Sequence, residues 1–245
     1  MNVFLESTKG FISVVGAGGK KSFMYALSKF AKGRVALSST TRMYKYDDTI
    51  VDKIVDIKSE ENFELNRSDR VVAFQKESSK QGRVEGLLDV ELDRVWLSKK
   101  FEFLVCKADG ARARLIKCPN DDEPIIPTSC DLVVPIVSIK ALGEKLTPRI
   151  AHRVDKLSEL WRESSGCLIT KEHIVILMVS ENGFFKNADG YKILPLINMV
   201  DSSKELEDAI EIAEFALAIT DRFDKVVIGS MLEGNVKKVV HRKLI

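Results

Sequence analysis

The chain has 245 residues, 45% hydrophobic and 30% charged, and its 38 Lys plus Arg against 36 Asp plus Glu leave a net charge of +2. That balance suits one large α/β domain over residues 1–245 and argues against a nucleic-acid partner, which calls for a basic field. No apolar run reaches the roughly 18 residues of a membrane span and no signal pattern opens the chain, so a cytoplasmic protein with no membrane partner is expected.

Phe11–Val15 (FISVV) is a short continuous apolar run, the pattern of a strand buried on both faces. It ends in Gly16-Ala17-Gly18-Gly19 and Lys20-Lys21-Ser22. A helix over 22–31 follows, with Phe23, Met24, Leu27 and Phe30 at helical spacing, and Gly33 stops it. Val35-Ala36-Leu37 starts a second strand that runs into Ser38-Ser39-Thr40-Thr41. Residues 45–70 are polar, with one strand-like piece at 54–57. A strand at 71–74, a helix at 88–97 and a buried strand at 101–106 come next.

Asp131–Val137 (DLVVPIV) reads as a strand, and its Pro135 predicts a sheet edge or a strand end. A turn at Gly143 precedes a helix carrying Val154, Leu157, Leu160 and Trp161. Thr170 caps a helix over 171–180, where Thr-x-x-His lacks a full capping box. A strand at 193–199, a helix at 203–219, a strand at 226–228 and a hairpin arm at 236–240 complete the chain. Strands alternating with helices predict a three-layer, doubly wound α/β fold with a mainly parallel sheet.

Ligands in such sheets lie at the carboxyl ends of the strands. Four polar segments fall there: 16–22, 38–42, 109–114 and 198–201. Glycines before a helix let its free N–H groups curl around phosphate oxygens, and a following lysine adds charge. Against G-x-x-x-x-G-K-[ST], aligning Gly19-Lys20 puts Val14 at the first glycine and Lys21 at the metal-binding hydroxyl, with Ser22 one position late. A phosphate site at Gly16, Gly18, Gly19, Lys20, Lys21 and Ser22 stands beside a tight strand–helix turn. A dinucleotide-binding G-x-G-x-x-G fits less well, because Lys21 stands at its third glycine.

Thr40, Thr41 and Arg42 are candidate phosphate contacts at the next strand end. Asp109 follows an apolar strand, where a carboxylate can hold Mg²⁺ or its water, and Arg112 can stabilise developing charge. Arg114 and Lys117 add positive charge at the same mouth, and Glu123 in DDEPIIP is a further carboxylate to follow. Asn198 and Asp201 in INMVD partly match N-K-x-D, whose aspartate reads guanine. Cys106, Cys118, Cys130 and Cys167 form no C-x-x-C pair, which gives neither a zinc nor a disulfide framework.

GAGGK (16–20), STTRM (39–43), ADGAR (108–112), DEPIIP (122–127), ALG (141–143), HR (152–153), IT-x-E (169–172) and IN-x-V-D (197–201) occur in one order along the chain. The ordered set resembles the YqeC family, accessory proteins of selenium-dependent molybdenum hydroxylases. The resemblance implies a variant of the P-loop NTPase fold and a role in selenium or molybdenum cofactor maturation. It implies GTP or ATP as ligand, Mg²⁺ as a cofactor, and a molybdenum hydroxylase or another maturation protein as partner. By position it places Gly16, Gly18, Gly19 and Lys20 on phosphates and Asp109 at the metal or phosphate site.

Three departures from the family pattern are visible. Lys21 replaces a threonine, Lys107 an acid and Met199 a lysine. The lysines could supply charge in place of a metal. Two functions therefore stand: an NTP-hydrolysing accessory protein, or a non-hydrolysing binding protein or chaperone for a phosphorylated, pterin-nucleotide-like cofactor.

Overall fold

The computed structural model describes residues 1–57 and 63–243. The predicted polar segment 45–70 lies partly outside them. Among the described residues, twelve strands form the sheet that organises the fold. Its body is β1 (Phe11–Gly16), β2 (Val35–Ser39), β3 (Lys53–Asp56), β4 (Val71–Glu77), β5 (Phe103–Lys107), β6 (Leu132–Ser138), β7 (Leu196–Asn198), β8 (Lys225–Ser230) and β9 (Asn235–His241). The spatial order is β9-β8-β7-β6-β1-β5-β2-β4, with β3 alongside β4. Neighbours in this body run parallel, except that β8 and β9 form the antiparallel hairpin. Short antiparallel strands at Met43–Tyr44 and Arg83–Glu85 extend the sheet beyond β4.

Alternation along the strands sets the layers, because successive side chains point to opposite faces. Ile12 and Val14 of β1 join one core with Phe23, Met24 and Leu27 of a helix at Lys20–Phe30. Phe11 and Val15 join another with Leu92 and Val95 of a helix at Asp89–Leu97. In chain order the helices are α1 (Asn2–Leu5), α2 (Lys20–Phe30), α3 (Asp89–Leu97), α4 (Val154–Trp161), α5 (Lys171–Val179) and α6 (Ser203–Ile219). The last three pack a third core with Ile197 of β7 and Val226 and Ile228 of β8. Helices thus cover both faces, and buried β1 is apolar on both of its faces for that reason, with Ser13 its one polar side chain between Phe11 and Val15.

The predicted edge position of Pro135 is corrected. β6 lies inside the sheet, between β1 and β7, and Pro135 stands opposite Val15. Its missing N–H faces the side on which Val133 accepts from the Leu194 N–H. There the neighbouring chain is interrupted, pairing at Lys192–Ile193 and resuming at Leu196. The gap holds Pro195, so the ladder asks Pro135 for no donor. The cap of α5 is also more complete than expected. Thr170 Oγ1 accepts the His173 N–H, and His173 Nδ1 accepts the Thr170 N–H, so an imidazole fills the role of the usual Glu or Gln.

The chain leaves β1 through α2 to reach β2 on one side, whereas β5 leads to β6 on the other. The strand order reverses at β1, which makes the loop after it the switch-point position of an open parallel sheet. Among the described residues no helix is long and apolar enough to cross a membrane.

Candidate functional site

The loop from β1 to α2 is pinned by its own backbone. The Ala17 N–H donates to Ile136 O at 2.9 Å and the Gly18 N–H to Arg114 O at 3.0 Å. Gly18 has φ +89°, and a Cβ there would lie 2.6 Å from Ser138 Cβ and from its backbone nitrogen. Gly19, at φ +111°, is the N-cap of α2, and its missing Cβ makes room for Asn198 Nδ2. Among the described residues no side chain caps α2, so the N–H groups of its first turn keep their partial positive charge.

Beneath the loop lies a buried chain of charges. Asp109, 1% exposed, follows β5, and its Oδ2 accepts the Gly16 N–H at 2.9 Å. Lys20 Nζ lies 2.6 Å from Asp109 Oδ1 and also donates to Gly16 O. Lys117 Nζ, with its side chain fully buried, lies 2.9 Å from Asp109 Oδ2 and 2.6 Å from Glu123 Oε2. Arg153 closes the chain with a two-pronged pair to Glu123, at 2.7 and 3.1 Å. Three cations face two carboxylates, an excess of one positive charge.

This arrangement decides the protonation states. Burial alone would raise the Asp109 carboxyl, but Lys20 and Lys117 outweigh it and hold the group below the usual carboxylate range. Burial likewise opposes ionisation of Glu123, and hydrogen bonds from Arg153 and Lys117 still bring it down. Lys20 is lowered by burial, with Asp109 opposing the shift. Lys107, at the end of β5, falls to about 7 through burial, and the charge of Lys20 adds to the effect. His152 falls to about 4 through burial and then the charge of Arg153.

The structure brings Gly16, Gly18, Gly19, Lys20, Asp109 and Asn198 together. Asn198, 1% exposed, donates from Nδ2 to Gly18 O at 2.7 Å and accepts the Met231 N–H on Oδ1 at 2.9 Å. It braces the loop from behind. Asp201 stands apart from Asn198's bonds, half exposed and 3.2 Å from Lys140. Thr41 Oγ1 accepts from Lys107 Nζ at 2.6 Å, and Thr40 Oγ1 donates to Ile125 O at 3.3 Å. Arg42 is drawn outward to Glu85 at 2.5 Å, and Arg112 is exposed in a left-handed turn. Lys21 is turned to the backbone carbonyls of Tyr44 and Lys45, and with Ser22 it lines a separate groove on α2.

Lys117, Glu123 and Arg153 are the partners that sequence reasoning left loosely placed. Lys117 read as a charge at the mouth, and the HR motif as a family feature without a role. Both pack into one ion chain because the short strands Ile116–Lys117 and Ala151–His152 pair in parallel. Lys20 pairs with Oδ1, and Lys117 and the Gly16 N–H sit on Oδ2, so as folded the buried Asp109 carboxylate is committed to two cations of the chain itself. Among the described residues no group of three or more His, Cys, Asp and Glu side chains could hold a metal ion. The residues present do not fit Mg²⁺ at Asp109. The excess charge and the uncapped helix suit an anion.

Comparison with known proteins agrees with the ordered motifs. The family model described as "YqeC protein" matches residues 12–155. A protein of Escherichia coli (strain K12) described as "Uncharacterized protein YqeC" is 27% identical over 181 residues, covering 72% of this chain and 70% of the relative. No solved structure matches the chain. With its loop, its buried Asp109 and its HR pair all inside the matched span, the chain belongs to the YqeC family.

Proposed function

We propose that this protein binds the phosphate groups of GTP, ATP or a phosphorylated cofactor at Gly16–Ser22, as a P-loop-like accessory protein of selenium or molybdenum cofactor maturation. The observation that carries the phosphate reading is the uncapped first turn of α2 at the switch point of the sheet. Its N–H groups are held open by a glycine loop whose backbone is tied at Ile136, Arg114 and Asp109. Pre-set donors of this kind favour an anion without rearranging. The place in cofactor maturation, and a molybdenum hydroxylase as recipient, rest on the family resemblance.

Of the two forms of this function, the engaged state of Asp109 favours the non-hydrolysing one. Phosphoryl transfer in P-loop proteins relies on Mg²⁺ held by a hydroxyl and an acidic side chain. Here Lys21 replaces that hydroxyl, and Asp109 is bound to two lysines. Lys20 and Lys117 provide fixed positive charge in place of a metal. The protein would hold its ligand and hand it on intact.

Binding of GTP and ATP, followed by a phosphate-release assay with Mg²⁺, tests both parts. Saturable binding without release supports the carrier form. Release above the buffer rate would establish the hydrolysing form instead. Absence of binding to either nucleotide removes the proposal for these ligands.

A further inference from the structure

A groove of about 370 Å³ runs along the outer face of α2, one wall formed by Asp47 and the other by Met231 and Leu232. Lys21, Ser22, Tyr25 and Phe30 form its floor. We propose that this groove takes the flat bicyclic ring of a purine-type nucleotide whose phosphates rest on the first turn of α2. The inference rests on the phosphate-binding reading above and names the ring site that goes with it.

Three observations support the placement. Lys21 and Ser22 belong to both sites, giving N–H groups to the first turn and side chains to the groove. The Lys21 side chain reaches across to the carbonyls of Tyr44 and Lys45, which tethers the groove's N-terminal end to the segment that carries Asp47. The floor from Lys21 to Phe30 is about 14 Å long at 1.5 Å per residue, which spans a base and a ribose.

The two walls are also tied to the phosphate loop. Asn198 bonds Gly18 O with one amide atom and the Met231 N–H with the other. The wall at Met231 is therefore held in register with the loop. On the other side, the Asp47 N–H donates to the Tyr25 hydroxyl at 2.9 Å. Lys21 Nζ lies 5.3 Å from the Tyr25 ring centroid and 5.9 Å from that of Tyr46.

The chemistry of the lining fits a flat ring with N–H donors. Leu232 is 89% exposed and Phe30 52% exposed, an apolar rim open for covering. Tyr25 offers an aromatic side. Both hydrogen bonds from Thr49 go to Asp47 Oδ1, and among the described residues no hydrogen bond engages Oδ2. That oxygen is free to accept from an amino or ring N–H of a ligand in the groove. Asp201, 3.2 Å from Lys140, lies outside this lining.

Titration calorimetry with GTP, ATP, guanosine and inorganic tripolyphosphate tests the assignment, using the full chain and its Leu232→Asp and Tyr25→Ala variants. Leu232 is a surface side chain, so Leu232→Asp should melt at the wild-type temperature. The expected result is that a purine triphosphate binds the wild type at least tenfold more tightly than tripolyphosphate. Both variants should lose that gain and bind tripolyphosphate unchanged. Equal affinity for triphosphate and tripolyphosphate, or variants that keep the gain, would overturn the ring site and leave the phosphate site standing. Guanosine binding that Leu232→Asp abolishes, with tripolyphosphate silent, would keep the groove and remove the phosphate reading. Silence of every probe removes both.

Discussion

Lys20 Nζ sits 2.6 Å from Asp109 Oδ1, with both side chains buried. The lysine of the loop is thus clamped under it, where its charge supports the glycine backbone from below. Removing Asp109 leaves Lys20 and Lys117 without their shared carboxylate in a buried site. Breaking such a pair typically costs about 3–5 kcal/mol. Asp109→Asn should therefore lower the urea midpoint sharply. Lys117→Met should cost less, because Asp109 keeps Lys20 and Glu123 keeps Arg153. Equal midpoints for wild type and Asp109→Asn would contradict the clamp.

Asn198 acts as a brace. Asn198→Ala leaves Gly18 O and the Met231 N–H without their partner in buried surroundings, at about 1–3 kcal/mol for each group left unpaired. Loss of the brace should weaken tripolyphosphate and nucleotide alike, since it loosens the loop itself. A variant that changes base preference while keeping tripolyphosphate affinity would instead assign Asn198 to base reading.

Gly18→Ala tests the loop geometry. The substitution puts a Cβ 2.6 Å from Ser138 at a left-handed φ, so the backbone must shift. Anion binding should be lost. Gly143→Ala is the matched control, with positive φ but nothing within 4 Å of its Cβ. It should cost about 1–2 kcal/mol for the left-handed backbone alone and leave binding intact.

Stability should depend on pH through two groups with lowered values. His152 titrates at about 4 in the fold against an ordinary 6.5. The unfolded chain takes up that proton first as the pH falls, so stability is lost between about pH 6.5 and 4. Lys107 titrates at about 7 against 10.5. The unfolded chain keeps that proton longer, so stability rises with pH from about 7 to 10.5. His152→Gln should flatten the acid limb and Lys107→Met the alkaline one, both read from urea midpoints across pH.

Much of the fold could be read from local pattern. The mostly apolar run at β1 and the long segment 203–219 gave their elements directly, because the signal of each lies within the element itself. Pro135 misled because its rule concerns hydrogen bonds to a neighbouring strand, and the sequence does not show that this neighbour breaks at Pro195. Of the site, Gly16–Lys20 and Asp109 stood out as strand-end residues. Their closure through Lys117, Glu123 and Arg153 did not, since it depends on two short strands separated by more than thirty residues. The turning of Lys21 toward the carbonyls of Tyr44 and Lys45 was hidden too, because it depends on how the chain after β2 folds back over α2.

Whether the loop holds phosphate without a metal is decided by titrating the wild-type protein with GTP and ATP, once with Mg²⁺ and once with a chelator. At least one nucleotide should bind saturably and keep binding with the chelator, because buried lysines and helix amides carry the site. Binding that appears only with Mg²⁺, or no binding in either condition, would contradict such a site.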